Sequence, residues 1–107
     1  MDKLIKINTL FYEIVEVEDL EDIDNSKQLI GATNYINQKI LLYKKLSKEQ
    51  KLITLRHELT HAFLWTYGFG SVCEELPLEV VCDFVGIYGE EIVRIANKYM
   101  EVLGNER

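Results

Sequence analysis

The sequence predicts an α+β fold, with a small N-terminal antiparallel sheet packed on C-terminal helices. Residues typical of strands crowd the first 43 positions, and helical periodicity begins abruptly at Ser47. The order is strands first and helices second, with no repeat or linker, which is typical of this class. With 107 residues, 48% of them hydrophobic, we expect a single domain over 1–107 with one modest core.

The first strand pair is predicted at 4–7 and 10–17, joined by a turn at Asn8–Thr9. In the second strand the apolar residues shift from even-numbered to odd-numbered positions near Ile14–Val15, so they do not all lie on one face. Either a β-bulge there or burial on both faces would explain the change. Seven acids and no base lie between Glu13 and Asp24, so we expect a solvated strand face running into a loop.

A second hairpin is predicted downstream, where Tyr35 and Ile36 lead into a turn at Asn37–Gln38. Residues 40–43 form its return strand. Gly31 lies where the hairpin begins, as expected of a strand entry or a bulge.

The first helix is predicted at 48–67. Ser47 and Gln50 have the spacing of a capping box, and Gly68 suits the residue after the C-cap. Between them, apolar and small residues recur every three or four positions and predict one buried stripe: Leu52, Leu55, Leu59, Ala62, Phe63 and Thr66.

A second helix is expected to begin near Pro77, which suits a first helical turn. Its predicted stripe comprises Leu78, Val81, Val85 and Tyr88. Gly86 and Gly89 indicate either close packing on the first helix or a break near Tyr88–Gly89, followed by a third helical stretch at 90–103. That stretch carries its own stripe: Ile92, Ile95, Ala96, Tyr99 and Val102.

Charge and composition exclude several classes of function. The net charge of −6 disfavours nucleic acid and anionic membrane surfaces as partners. The apolar runs are far shorter than the ~20 residues that span a bilayer, and the N-terminus has no signal-peptide core. Two cysteines, Cys73 and Cys82, are fewer than small secreted domains usually carry, so we expect a reducing cytoplasm.

Both histidines of the chain lie in one pentapeptide, His57-Glu58-Leu59-Thr60-His61. On a helix, residues four apart project from one face, so His57 and His61 can bind one Zn²⁺. Glu58 is rotated by about 100° and can take a proton from a zinc-bound water, whose pKa the metal lowers. Random reordering of this composition gives the pattern in roughly 2 of 1,000 cases. The alternative is a pair of ordinary histidines on an amphipathic helix.

A catalytic zinc site needs a third protein ligand, and Glu79 is the best candidate. It lies 18 residues after His61, beyond a loop that lets the chain turn back. Asp83, four residues later, could accept the free ring N–H of a ligand histidine. Both acids are also ordinary at a helix N-terminus. Competing ligands are Glu74, Glu75 and Asp83 itself, whereas Cys82 would lie off the face that the two acids share.

The group that would stabilise an oxyanion in hydrolysis is not identified by the sequence. Tyr67, Tyr88 and Arg56 are the candidates, and each is also explained as a core aromatic or a solvated base. Trp65 is most simply a packing residue.

Residues 55–63, with 79–84 downstream, resemble the small phage and prophage zincin-like metallopeptidases related to the ImmA/IrrE group. The likeness covers roughly residues 30–97, and its HExxH core is specific. It implies a zincin-like fold and a gluzincin-type site with one Zn²⁺. In that site His57, His61 and Glu79 are the ligands and Glu58 is the base. It also suggests that a substrate lies extended along the sheet edge, here at 40–43.

We therefore expect a zinc-dependent endopeptidase in the cytoplasm of a bacterial host, acting on a protein or peptide. The alternative is a catalytically inactive interaction module of phage or prophage origin that keeps the zincin fold. Neither hypothesis involves nucleic acid or a membrane, and the oligomeric state is not predicted.

Overall fold

The computed structural model describes residues 3–19, 30–69 and 76–105, with only the backbone described at residue 105. Its elements, in chain order, are β1 (Leu4–Ile7), β2 (Leu10–Val17), β3 (Gly31–Asn34), β4 (Lys39–Tyr43), α1 (Lys48–Thr66) and α2 (Leu78–Asn105). Four strands followed by two helices confirm the predicted α+β class.

The β1–β2 hairpin forms as predicted. Asn8 takes the left-handed conformation with φ 56°, which asparagine tolerates in tight turns. Of the two explanations for the pattern near Ile14–Val15, the bulge is absent, because β2 pairs with β4 in an unbroken register through this region. Ile14 is buried and Val15 half-buried, so the change of parity reflects burial on both faces of an interior strand.

The sheet is mixed rather than antiparallel. Its strand order is β1-β2-β4-β3, and β2 and β4 run parallel. A tight turn cannot join parallel strands. The chain instead crosses from β2 to the far edge, forms β3, and returns antiparallel as β4. The expected substrate edge at 40–43 is therefore wrong, because β4 lies inside the sheet and β3 is the edge strand.

The first strand of the second hairpin, β3, ends earlier than predicted. Tyr35 and Ile36 belong to the turn rather than to a strand, and Gln38 takes a left-handed φ of 55° to close it. As a result Ile36 is 91% exposed at the tip.

α1 agrees with its prediction to within one residue at the C-terminus. Both bonds of the capping box form. The backbone N–H of Gln50 donates to Ser47 Oγ, and the backbone N–H of Ser47 donates to Gln50 Oε1. Gly68 ends the helix with φ 88°, a value that favours glycine. On the predicted stripe Leu55, Leu59, Ala62 and Phe63 are fully buried.

α2 is one continuous helix of 28 residues, so the predicted break near Tyr88–Gly89 is wrong. Close packing is not the explanation for Gly86 either, since a Cβ there would meet nothing within 4 Å. Buried residues on both sides of the glycines, Phe84 and Ile92 among them, hold the helix together. Within the described residues, neither helix combines the length and apolarity needed to cross a membrane.

The two halves of α2 differ in how they are buried. The predicted stripe in the C-terminal half is confirmed at Ile92, Ile95, Ala96 and Tyr99. In the N-terminal half the predicted stripe is confirmed only at Tyr88, which packs against the core, whereas Leu78, Val81 and Val85 are 74%, 39% and 59% exposed. Val81 and Val85 line an apolar groove between the two helices instead of joining the core.

A charged cluster lies inside the core. Lys51 Nζ donates to Glu16 Oε1 at 2.9 Å, and the Tyr99 hydroxyl donates to Glu16 Oε2 at 2.6 Å. The Lys51 side chain is only 3% exposed and that of Glu16 13%. Burial alone would raise the pKa of Glu16, but the bonds from Tyr99 and Lys51 outweigh it and hold this pKa below its ordinary value of 4.5. Glu16 is thus no part of the solvated acidic face that the sequence predicts.

Replacing Glu16 by glutamine should leave the Lys51 charge buried without a counter-charge, at a cost of about 3 kcal/mol in the free energy of unfolding. Because the folded-state pKa of Glu16 is lowered, its stabilisation is present above pH 4.5 and is lost as the pH falls further. As the pH falls below 4.5, the free energy of unfolding should therefore decrease more steeply for the wild type than for Glu16→Gln. Urea titrations at a series of pH values measure this.

The matched control is Glu18→Gln. Glu18 pairs with Lys44 at 3.3 Å, but the two side chains are 77% and 58% exposed. Exposed pairs of this kind contribute at most about 0.5 kcal/mol. Equal destabilisation by the two variants would show that the core cluster is not an effective ion pair.

Candidate metal centre

The HExxH pentapeptide lies in the second half of α1 and divides its residues between solvent and core. His57 and His61 are both exposed, whereas Glu58 is 7% exposed and turned towards the sheet. This division follows from helix geometry, since the stripe through Leu55, Leu59 and Ala62 anchors one face in the core and leaves the opposite face open.

The two imidazoles converge on one point. His57 Nε2 and His61 Nε2 are 3.2 Å apart, and the rings meet edge to face with centroids 4.8 Å apart. Two nitrogens that each bind zinc at about 2.05 Å with a tetrahedral angle would be about 3.3 Å apart. The donor atoms of this pair thus already have the separation that one Zn²⁺ requires.

The Glu58 carboxylate is oriented by its neighbours. The Thr33 hydroxyl, from β3, lies 2.7 Å from Glu58 Oε1 and 3.0 Å from the Glu58 main-chain carbonyl, so its one proton is shared between two acceptors, with the shorter contact to Oε1. The other oxygen, Oε2, faces the histidines at 4.0 Å from His57 Nε2. One oxygen is therefore held by a hydrogen bond, and the other is directed at the space beside the imidazole pair.

Thr33 can reach Glu58 because β3 passes very close to α1. A Cβ on Gly31 would lie 2.6 Å from Thr54 Cγ2 and 3.3 Å from Glu58 Cγ, so a side chain at this position would push the strand away. Of the two expectations for Gly31, strand entry is confirmed, since β3 begins there, and the close approach to α1 adds the reason why the residue is glycine.

The outer edge of β3, beside this site, carries backbone groups that no described strand pairs with. The Tyr43 amide donates to the Ile30 carbonyl at 2.9 Å, and in an antiparallel pair the bonded residues alternate. Ala32 and Asn34 therefore direct their amides and carbonyls to β4. Gly31 and Thr33 direct theirs outward, at the edge of the described sheet.

Tyr35 joins the site although its sequence position does not indicate it. Burial raises the pKa of its phenol above the ordinary value of 10.0, and the Glu58 carboxylate adds to the rise. The ring stacks on Trp65, with centroids 4.7 Å apart and planes 20° apart. Thr33 and Tyr35 lie more than 20 residues before the pentapeptide, so only the β3–α1 contact brings them to it.

The third ligand stays a prediction. Glu79 and Asp83 lie in the exposed first turns of α2. Among the described residues no group of three or more His, Cys, Asp or Glu is close enough to hold a metal ion. The competing candidates Glu74 and Glu75 lie outside the described residues, as does Cys73, while Cys82 is an exposed free thiol.

The oxyanion candidates named from the sequence have packing roles. Tyr67 and Tyr88 stack against each other at 4.4 Å, in a cluster of rings with Phe63. Arg56 lines the apolar groove between the helices, and its buried Nε has no hydrogen-bond partner among the described residues.

Comparisons with protein-family profiles, with curated proteins and with solved structures found no match for this chain.

We predict that the protein binds about one Zn²⁺ per chain and that His61→Ala abolishes this binding, because the variant keeps at most one imidazole and one carboxylate of the three ligands that a zinc site needs. If Glu79 is the third ligand, Glu79→Gln should weaken zinc affinity about tenfold or more, since the carboxamide is uncharged. Elemental analysis and titration with a chromophoric chelator measure both effects.

Glu90→Gln is the control, because Glu90 is another exposed acid of α2. Its affinity for zinc should equal that of the wild type. An unchanged affinity in His61→Ala would contradict the assignment of the histidine pair.

Proposed function

We propose that this protein is a zinc-dependent peptide hydrolase that acts on a protein or peptide in the cytoplasm of a bacterial host. The observation that carries the proposal is the joint placement of the two imidazole nitrogens, 3.2 Å apart, and of Glu58 Oε2, 4.0 Å from one of them. Two metal donors and a general base are thus within about one helical turn, as amide hydrolysis with zinc requires.

Zinc, when bound by His57, His61 and a carboxylate, would polarise the substrate carbonyl and acidify the attacking water. Glu58 takes the proton from that water through Oε2, while Thr33 keeps Oε1 in place. Glu58 then delivers the proton to the leaving amine, so one carboxylate is base and afterwards acid. Its low exposure limits competition from bulk water.

The substrate backbone would pair with β3. Gly31 and Thr33 offer outward amides and carbonyls, and an extended peptide satisfies such groups by adding a strand. Because Thr33 also bonds to Glu58, a peptide on this edge lies beside the base. The edge is thus β3 rather than 40–43, but the mode of binding is the one that the family resemblance implies.

Tyr35 is our candidate for the oxyanion donor. A tyrosine phenol is protonated at neutral pH, and the raised pKa of Tyr35 reflects its burial and the nearby Glu58 carboxylate, so its hydroxyl is a donor close to the proposed base. Stacking on Trp65 holds the ring and reduces the entropy lost when substrate binds.

A non-catalytic interaction module of phage or prophage origin is the second candidate. It is favoured by one observation: Gly31 and Thr33 direct their backbone amides and carbonyls outward at the edge of the described sheet. The open edge of β3 would then bind a partner protein without cleaving it.

Glu58→Gln decides between the two functions. It should preserve zinc content and reduce cleavage of a fluorogenic peptide pool by about 100-fold or more, the usual contribution of a general base. Mass spectrometry of the digested pool measures this directly. Cleavage by the variant at the wild-type rate would exclude the proposed base, and absence of cleavage by the zinc-loaded wild type would favour the interaction module.

Thr33→Val should lower kcat about 10- to 100-fold and leave zinc affinity unchanged, because valine keeps the shape but cannot hold Oε1. Thr60→Val is the matched control. The Thr60 hydroxyl donates to the Arg56 carbonyl on its own helix and does not contact Glu58. If both variants retain full activity, the hydrogen bond from Thr33 does not position the base.

A further inference from the structure

We propose that the exposed surface of Trp65, supported by Tyr35, is a subsite that binds a large apolar or aromatic side chain of an extended, uncharged peptide lying along β3. The proposal rests on the proposed function for the position of the reacting bond. It adds the class of substrate that this site would select.

Trp65 belongs to an exposed stripe of α1 that contains the histidine pair. Ile53, His57, His61 and Trp65 follow at intervals of four residues, so each lies about 40° around the helix from the one before it. Ile53 is 64% exposed and Trp65 40%, so apolar surface borders the histidines at both ends. In a folded chain such large apolar side chains are usually covered, and here they flank a candidate site.

The Tyr35–Trp65 pair forms a rigid apolar surface. The tyrosine ring covers one side of the indole at 4.7 Å, nearly parallel to it, which fixes the indole orientation. Because the indole is already held in place, a substrate ring or branched side chain can pack on its remaining surface without first ordering a mobile protein side chain. Aromatic contacts of this kind are frequent at sites where binding energy is concentrated.

The position of Trp65 matches the spacing of an extended peptide. β3 runs in the same direction as α1, since Gly31 lies beside Thr54 and Tyr35 beside Trp65. Along the helix Trp65 is about 9 Å beyond the middle of the histidine pair. This distance corresponds to two or three residues of a strand, so the selected side chain lies that far from the reacting bond.

The absence of charge along β3 indicates the chemistry of the occupant. From Ile30 to Gln38 the sequence contains no charged residue and no proline, in a chain of which 28% of residues are charged. Charged residues and proline normally protect an edge strand from pairing with other chains, and Lys6 does so on β1 at the opposite edge of the sheet. Within the described part of the chain this edge carries outward backbone groups and no charged side chain, and Ile36 is 91% exposed at its end, which suits an uncharged apolar segment.

The test measures binding separately from cleavage. Two short labelled peptides, identical except for a central Phe or Ser and free of charged residues, are titrated into Glu58→Gln protein and into metal-free wild type. Fluorescence anisotropy gives the affinity, and emission of Trp65, the only tryptophan, reports contact at the subsite. We expect the Phe peptide to bind about tenfold more tightly and to change the Trp65 emission.

Trp65→Ser should reduce this preference to about equal binding, and Trp65→Phe should retain most of it. Ile87→Ser is the matched control, since Ile87 is 66% exposed but lies on α2. The preference of Ile87→Ser for the Phe peptide over the Ser peptide should equal that of the protein without this substitution. Circular dichroism establishes that each variant is folded.

A tenfold preference that survives in folded Trp65→Ser would overturn the subsite, as would equal binding of both peptides to the parent. Pairing of β3 with a second copy, seen as a dimer in sedimentation that excludes peptide, would also overturn it. If the Phe peptide binds through Trp65 but zinc-loaded wild type leaves it intact, the hydrolase proposal fails and the subsite stands. If zinc-loaded wild type cleaves the peptides and neither binding nor cleavage depends on Trp65, the subsite fails and the hydrolase proposal stands.

Discussion

The close contact between β3 and α1 is the constraint on which the candidate site depends. Gly31 lets the strand approach until a Cβ would collide with Thr54, and two residues later Thr33 reaches Glu58 Oε1 at 2.7 Å. Because strand side chains alternate, the residue that permits the approach and the residue that uses it lie on the same face. The strand that orients the base also leaves its outer edge unpaired. Base and peptide-binding edge are therefore parts of one structural unit.

What the sequence predicts well is local. The capping box at Ser47 and Gln50, the glycine that ends α1 and the turn at Asn8 depend on neighbours a few residues away, and all three are confirmed. The helical spacing of His57 and His61 is equally local, so the convergence of their nitrogens follows from the sequence.

What the sequence does not predict depends on distant partners. The parallel pairing of β2 with β4 depends on where the chain crosses the sheet, and no short pattern encodes that crossing. Glu16 is one acid among seven in its stretch, and only Lys51 and Tyr99, 35 and 83 residues away, distinguish it. Thr33 and Tyr35 escape prediction for the same reason. The continuity of α2 through two glycines is likewise a result of tertiary burial exceeding intrinsic helix propensity.

Glu58 is the one residue that belongs to both the core and the site. The histidines lie on the open face of α1, and a change there removes donor atoms without removing core contacts. The carboxylate instead lies under β3, where the Thr33 hydroxyl contacts Oε1 at 2.7 Å and bulk water barely reaches the group. A buried carboxylate costs free energy unless hydrogen bonds or opposite charge compensate it. Glu58 Oε2 lies 4.0 Å from His57 Nε2, so a cation held by the two imidazoles would supply compensating charge on that side of the carboxylate, and binding the metal and keeping Glu58 buried would support each other.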